Sequence, residues 1–343
     1  MRYRLSIVIP CYRVERYLRR CLNALLAQSL KGIQLVCVND GSPDGCLKIL
    51  REYESRYPNI VVIDQENRGV WNARMRGIAA AEGEFIGFAD PDDRVCRDSA
   101  KKLYAAAKVH RADIAVCGFD RMDEKKGKRL SREMTAFPYR LFSFRKEPGL
   151  CLEVNPAVWN KIFRAKLVRS MPDFRHIPRI FDDLFFSQLL FLNADRICFV
   201  PESLIRYTVR ADSIIRGIRE EYVPEVRDAM LELRNICLRK YPERLDYLSA
   251  LAFLHLGISL LHRISALGDR ALKRALRENT AFLDAEFPGW RNNPYLGPAF
   301  ILSHRGANRK VYFGHWLSRL HLMPLFFRVY NGMISRLGVD FKW

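Results

Sequence analysis

Along the first 120 residues, continuous apolar runs alternate with segments whose apolar positions recur every three to four residues. "LSIVIP", residues 5–10, is apolar throughout and ends on proline, which predicts a buried strand that stops at Pro10. In "ERYLRRCLNALLAQ", residues 15–28, Leu18, Cys21, Leu22, Leu25 and Leu26 fall on one helical face. A second strand, "IQLVCVND", closes on the turn residues "DGSPDG". A helix from about Asp44 to Arg56, a strand "NIVVID", a helix "WNARMRGIAAA" and a strand "GEFIGFAD" follow in turn. Strands joined through single helices must run parallel, with right-handed crossovers. The expected fold class is therefore α/β, a three-layer, mostly parallel sheet.

The pattern then becomes mixed. "ADIAVCGFDRM" predicts a strand, "RKEPGLCLEVNPAVWNKIFRAKLV" leads into a helix, and "IPRIFDDLFFSQLLFLNADRICFVP" reads as a loop, a helix beginning near Asp182, then a strand. After Ser213 the chain is helical and amphipathic to its end.

In open parallel sheets, ligands bind beyond the carboxyl ends of the strands. Three such ends bring Pro10–Tyr12, Asn39–Asp40 and Asp90–Asp93 to one rim, although they lie far apart in sequence. The stretch "FADPDDRV" holds three carboxylates within four positions, which repel one another unless a cation sits among them. No G-x-G-x-x-G follows the first strand and no G-x-x-x-x-G-K-[ST] occurs, so dinucleotide and P-loop phosphate cradles are unsupported. A divalent cation on the Asp cluster is the expected counterweight to phosphate charge, and oxygen-only ligands favour Mg²⁺ or Mn²⁺ over Zn²⁺. Asp and Pro are also turn formers, so solvated turns are the competing reading of Asp90–Asp93 and of Asp40 in "NDGS".

Five ordered pieces carry a resemblance: "SIVIPCYRVERYLRRCL", "VCVNDGSPDG", "QENRGVWNARMRG", "GEFIGFADPDD" and "FDDLFFSQLL". Over residues 5 to 210 the chain resembles glycosyltransferase family 2. That resemblance implies the GT-A fold, a nucleotide-diphosphate sugar donor (a UDP-sugar), Mn²⁺ or Mg²⁺, and inversion at the anomeric carbon. It further implies that Pro10, Tyr12, Glu15 and Asp40 surround the base and ribose, and that Arg74 lies near the donor. Asp90 and Asp92 match the D-x-D pair, with Asp92 the metal ligand, and Asp183 matches the catalytic base, with Asp182 beside it. The chain departs from the family pattern at Arg13, where Asn is usual, at Met75, at Pro91 within D-x-D, and at Asp182 in place of Glu. The residue types suit the chemistry without the name. A leaving diphosphate needs its growing charge neutralised, and an acceptor hydroxyl needs a carboxylate to take its proton. Asp182–Asp183 also suits a helix N-terminus for stability alone. The expected organisation is a catalytic domain over 1–215, with a nucleotide-binding half 1–105 and an acceptor half 106–215, followed by a helical basic region 216–343.

Composition extends this picture. At 49% hydrophobic, 343 residues bury a large core in one or two domains. A formal charge of +19 calls for an anionic partner. Nine cysteines form no C-x-x-C pair, and Cys11, Cys37 and Cys117 sit in strand-like runs as small core residues, a usage suited to a reducing cytoplasm. The N-terminal apolar stretch is too short for a signal peptide, and no uninterrupted run approaches the roughly 20 residues that span a bilayer. Trp159 reads as core and Lys161 as a surface charge, with a share in the acceptor site as the alternative for each. The seven histidines show no metal-site spacing. Residues 301–343 hold seven Lys/Arg and one acid, Asp340, among Trp316, Leu320, Phe326 and other apolar residues, with Pro324 opening a second helix. Such a segment suits an anionic membrane surface, with a helix packed on the catalytic domain and its arginines facing water as the alternative, and no module supports nucleic-acid binding. The expected protein is a cytoplasmic enzyme, peripheral on the inner face of a bacterial membrane, that glycosylates a glycan or glycolipid acceptor. A sugar nucleotidyltransferase and a non-catalytic protein on a transferase fold are the alternatives.

Overall fold

The computed structural model describes residues 2–137, 140–209, 218–303 and 309–337, the side chains of Lys310 and of residues 331–337 excepted. The chain forms two compact units. The first comprises Met1–Lys146, Asn155–Met171 and Phe186–Ala211; the second comprises Glu147–Val154, Pro172–Phe185 and Asp212–Trp343. The boundary expected near residue 215 lies outside the described residues.

The first unit contains β1 (Tyr3–Cys11), α1 (Glu15–Leu26), β2 (Ile33–Asp40), α2 (Cys46–Arg56), β3 (Ile60–Gln65), α3 (Gly69–Ala80) and β4 (Gly83–Phe88). It continues with β5 (Arg94–Val95), α4 (Ser99–Val109), β6 (Ile114–Asp123), β7 (Arg129–Glu133), β8 (Leu141–Ser143), β9 (Lys161–Arg164) and α5 (Ala165–Arg169). Helix α6 (Asp182–Asn193) begins in the second unit, and β10 (Arg196–Val209) completes the sheet. The order is β3-β2-β1-β4-β9-β6-β10-β5, with β7 on β6 and β8 on β10. β3, β2, β1 and β4 are mutually parallel, as their single-helix connections require. β9 then runs antiparallel to both β4 and β6, so the sheet as a whole is mixed.

Both faces are covered. Leu5, Ile7 and Ile9 of β1 share one core with Leu18, Leu22 and Leu25 of α1, Ile49 and Leu50 of α2, and Leu103 of α4. Val8 points to the other face, where α3 packs so closely that a Cβ on Gly77 would stand 2.3 Å from Val8 Cγ1. Strand β1 runs one residue past Pro10, contrary to the expected stop. Val8 accepts from the Ala89 N–H, so Pro10, two residues on, also turns its backbone toward β4, which ends at Phe88. The missing N–H falls where no ladder remains.

The second unit holds α7 (Tyr222–Lys240), α8 (Leu245–Ala252), α9 (Leu260–Ser265), α10 (Asp269–Glu286), α11 (Pro298–Ser303), α12 (Arg309–Arg319) and α13 (Met323–Leu337). A π-helical stretch, Phe253–Ser259, makes Pro242–Ser265 one continuous helix of 24 residues. This helix is long and apolar enough to cross a bilayer, a length the uninterrupted apolar runs do not show, but 78% of its apolar window is buried. A largely apolar helix that is mostly covered by the protein packs as a core helix. Two short segments expected in the first domain cluster here for visible reasons. Gly149 lies against Tyr295 and Phe300. The Glu232 carboxylate accepts from the backbone N–H groups of Arg175 and His176, and Glu225 pairs with Arg179.

Candidate functional site

β2, β1 and β4 lie side by side, with Val8 in register with both Val36 and Phe88, so their carboxyl ends share one rim. Pro10, Tyr12, Asp40, Asp90 and Asp92 are brought together there. Tyr12 is exposed, Asp40 buried, and Asp90 and Asp92 half-buried.

The Asp90–Asp93 segment is a four-residue turn closed by Asp93 N–H to Asp90 C=O at 3.1 Å. Pro91 occupies its second position, where a ring-fixed φ favours the turn. That accounts for proline within the acidic motif. The turn is then pinned from two elements. Thr208 of β10 donates its backbone N–H to Asp93 Oδ1 (2.9 Å) and its hydroxyl to the Asp92 carbonyl (2.9 Å). Arg20 of α1 donates to the same carbonyl at 3.0 Å. Asp93 is thereby spent on structure, 4% exposed, while the carboxylates of Asp90 and Asp92 stay at the rim. Their combined potential reaches other elements. Burial first, then Asp93, Asp90 and Asp92, push the Tyr207 phenol up to about 12. The Cys21 thiol goes up to about 12 by burial and the same three carboxylates. A negative pocket of this kind favours a cation.

Asp40 is held from the neighbouring loop. Its Oδ1 accepts from Gln65 Nε2 (2.8 Å) and from the Arg68 N–H (2.9 Å), and Gly41 follows at φ +61. A Cβ on Gly41 would sit 2.5 Å from the Asn67 nitrogen, so only glycine lets the two loops meet. Glu15 acts as a clasp: its Oε2 accepts from Gly45 N–H at 2.8 Å, while its own N–H donates to Asp44 Oδ2 at 3.1 Å. Asp44 also accepts from Ser42 Oγ and the Cys46 N–H. Partial burial alone would raise its pKa; the hydrogen bonds from Cys46, Ser42 and the backbone outweigh that and bring it down to about 2. Arg13 sits at φ +54, with its guanidinium 5.3 Å from the Tyr12 ring. Asn tolerates that left-handed backbone better than Arg, a physical reason for the usual residue at this position.

Arg74 of α3 is 3% exposed, and its guanidinium lies 5.9 Å from the Phe186 ring. Phe186 meets Trp71 and Phe88 edge-on at 5.3 and 5.2 Å, so Arg74 belongs to the aromatic layer beneath the end of β4. Asp182 and Asp183 stand half-buried in the first turn of α6, within the second unit, whereas the acidic rim belongs to the first. Phe181 enters the helix at φ +63, its ring 5.0 Å from the Arg263 guanidinium and 5.8 Å from His255.

Trp159 is core as expected, stacked on Tyr207 at 5.1 Å. Lys161 is not a surface charge. It is 1% exposed, and its ammonium donates to the carbonyls of Asn155 and Ala157 (2.6 Å each) and to Asn160 Oδ1 (2.7 Å). Thr208 went unnoticed in the sequence because its partners lie more than 110 residues away and no local pattern marks it.

Residues 6–170, just under half of the chain, match the profile of Glycosyl transferase family 2. It is 28% identical over 241 residues to glycosyltransferase GlyA of Streptococcus pneumoniae, covering 67% of this chain and 34% of that protein. It is 33% identical over 220 residues to the uncharacterized glycosyltransferase EpsJ of Bacillus subtilis, covering 61% and 62%. The chain thus spans less than two thirds of either relative's length. Among solved structures, S. aureus TarS 1–349 in complex with UDP-GlcNAc superposes with a TM-score of 0.62 at 19% identity, over 84% of this chain and 92% of that one. That likeness establishes the GT-A type of fold.

Proposed function

We propose that this protein is a metal-dependent inverting glycosyltransferase that moves a sugar from a UDP-sugar to a hydroxyl of a growing cell-surface glycan or glycolipid. The observation that carries the reading is the pinned Asp90–Asp93 turn, which holds two half-buried carboxylates on the parallel-strand rim beside Asp40. Among the described residues, no group of three or more His, Cys, Asp or Glu is placed to enclose a metal by itself. Two carboxylates fit Mg²⁺ or Mn²⁺, ions that complete their shells with substrate phosphate and water. Bound there, the ion supplies Lewis-acid neutralisation of the charge that grows on the leaving diphosphate.

The chain's own residues do the rest. Asp92, with Asp90, anchors the ion. Asp40 offers the ribose or base the oxygen that Gln65 and Arg68 leave open, since both of their bonds end on Oδ1. The exposed Tyr12 ring and Pro10 flank the base, and Glu15 shapes that pocket through the loop it clasps. Arg74 contributes positive charge on the donor side. A carboxylate oxygen of Asp183 takes the proton of the acceptor hydroxyl, with Asp182 beside it at the helix start. The location that suits the chemistry is the cytoplasmic face of a membrane. Supporting it, α12, α13 and the turn between them expose Phe313, Trp316, Leu320, Leu325 and Val329 in a segment nearly free of acids.

The test is a screen of nucleotide sugars with Mn²⁺ for wild type and Asp92→Ala, with UDP affinity measured with and without EDTA. The expected result is release of UDP, loss of turnover in the variant, and weaker UDP binding on chelation. Release of pyrophosphate would overturn the transferase reading, and a UDP affinity indifferent to EDTA would remove the metal.

A further inference from the structure

The opposite rim of the sheet carries a second charged feature. At the amino-terminal ends of β1, β2 and β4, and the carboxyl end of the antiparallel β9, lies an open recess of about 790 Å³. Arg2, Arg4, Lys31, Arg164 and Lys166 line it, against a single carboxylate, Glu84. Glu84 is already engaged, accepting from Tyr104 Oη and Lys108 Nζ at 2.8 Å each. Arg164 is partly neutralised: it lies 3.5 Å from Asp113, donates to the Ala112 carbonyl, and sits 5.0 Å from the Phe85 ring. Arg2, Arg4, Lys31 and Lys166 are exposed and, among the described residues, have no carboxylate within ion-pair distance. The backbone itself fixes two of them, since the Arg4 N–H donates to the Gly32 carbonyl at 2.8 Å, beside Lys31.

Four uncompensated cations around one concavity repel one another, and an anion with more than one charge removes that repulsion. Arginine and lysine together suit phosphate, the guanidinium through its planar fork and the ammonium as a point charge. We propose that this recess is a binding site for a phosphate-bearing group, separate from the donor rim and occupied independently of it. It lies at the other ends of the same strands, so the proposal stands whether or not the transferase assignment does. A phospholipid headgroup and a soluble phosphate ester offer the same chemistry.

The experiment compares full-length wild type with the triple variant Arg4→Glu/Lys31→Glu/Lys166→Glu, all exposed positions, after matching thermal melts show that the variant is folded. Inorganic pyrophosphate is titrated by calorimetry in EDTA, with Asp90→Ala/Asp92→Ala as a control at the donor rim. Cosedimentation uses phosphatidylglycerol/phosphatidylcholine vesicles against phosphatidylcholine alone. Pyrophosphate binding that the triple reversal weakens at least about tenfold and the control leaves intact is the expected result, falling with added salt. Vesicle binding lost in the same variant assigns the phosphate to lipid; vesicle binding unchanged, with pyrophosphate binding lost, assigns it to a soluble ester. No binding in either arm, or binding in both that the reversal leaves unchanged, overturns the site.

Discussion

At the scale of single residues, two carboxylates have separable fates. Asp183→Asn keeps shape and hydrogen-bonding capacity but cannot take a proton, so turnover should fall by roughly 10²–10⁴-fold with donor affinity nearly constant. Steady-state kinetics of both amides decide the role: a crippled Asp182→Asn beside a mild Asp183→Asn would transfer it to Asp182. Asp44 is a structural case with a defined pH signature. Its folded pKa, held to about 2, lies below the ordinary value of 3.8. Its contribution is therefore present above about pH 4 and is lost as the pH falls through 2. Asp44→Asn should lower stability at pH 7, and the gap from wild type should close toward pH 2. Denaturant titrations at both pH values measure it, and a gap that widens in acid would refute the assignment.

At the scale of elements, β9 depends on a buried ammonium group. Lys161 holds three oxygen acceptors from the segment leading into the strand. Lys161→Met keeps length and apolar bulk but should cost about 1–3 kcal/mol for each acceptor left unpaired. Equilibrium unfolding tests this, and a neutral outcome would mean the oxygens find other donors. The same strand shows where pattern reading runs out. β2 is legible to the residue because eight consecutive buried positions admit little else. β9, four residues long, and β5, two, carry too few positions for periodicity to speak, and their pairing is decided by strands far away in sequence. The acidic rim was legible for a related reason: parallel topology forces distant strand ends together once the strands are known. What holds the rim was not, because Thr208 acts from β10, and neither was Lys161, whose burial contradicts the ordinary preference of its side chain.

At the scale of the whole molecule, the charge of +19 is spread unevenly, with seven cations and one acid in the last 43 residues. If α12 and α13 dock on anionic lipid, each basic residue near the surface adds about 1 kcal/mol. Arg309→Glu/Arg319→Glu should then release the protein from anionic vesicles while donor hydrolysis continues, and salt should do the same to wild type. Sedimentation at low and high salt is the measurement; equal binding to neutral and anionic vesicles, or none to either, would leave this region as a packed helical cap.

The Thr208 clamp also sets an order of events at the ribosome. Asp93 and Thr208 are 115 residues apart, so at roughly 5–20 residues per second the acidic turn waits some ten seconds for the strand that fastens it. A nascent chain reaching residue 170 has made the whole interval that matches the family profile, yet lacks β10, which lies between β6 and β5 in the finished sheet. Until that strand arrives, β6 presents an open edge to every other growing chain nearby. The interval by which the family is known is therefore shorter than the unit that can fold. A fragment cut at residue 170 is expected to aggregate rather than bind nucleotide.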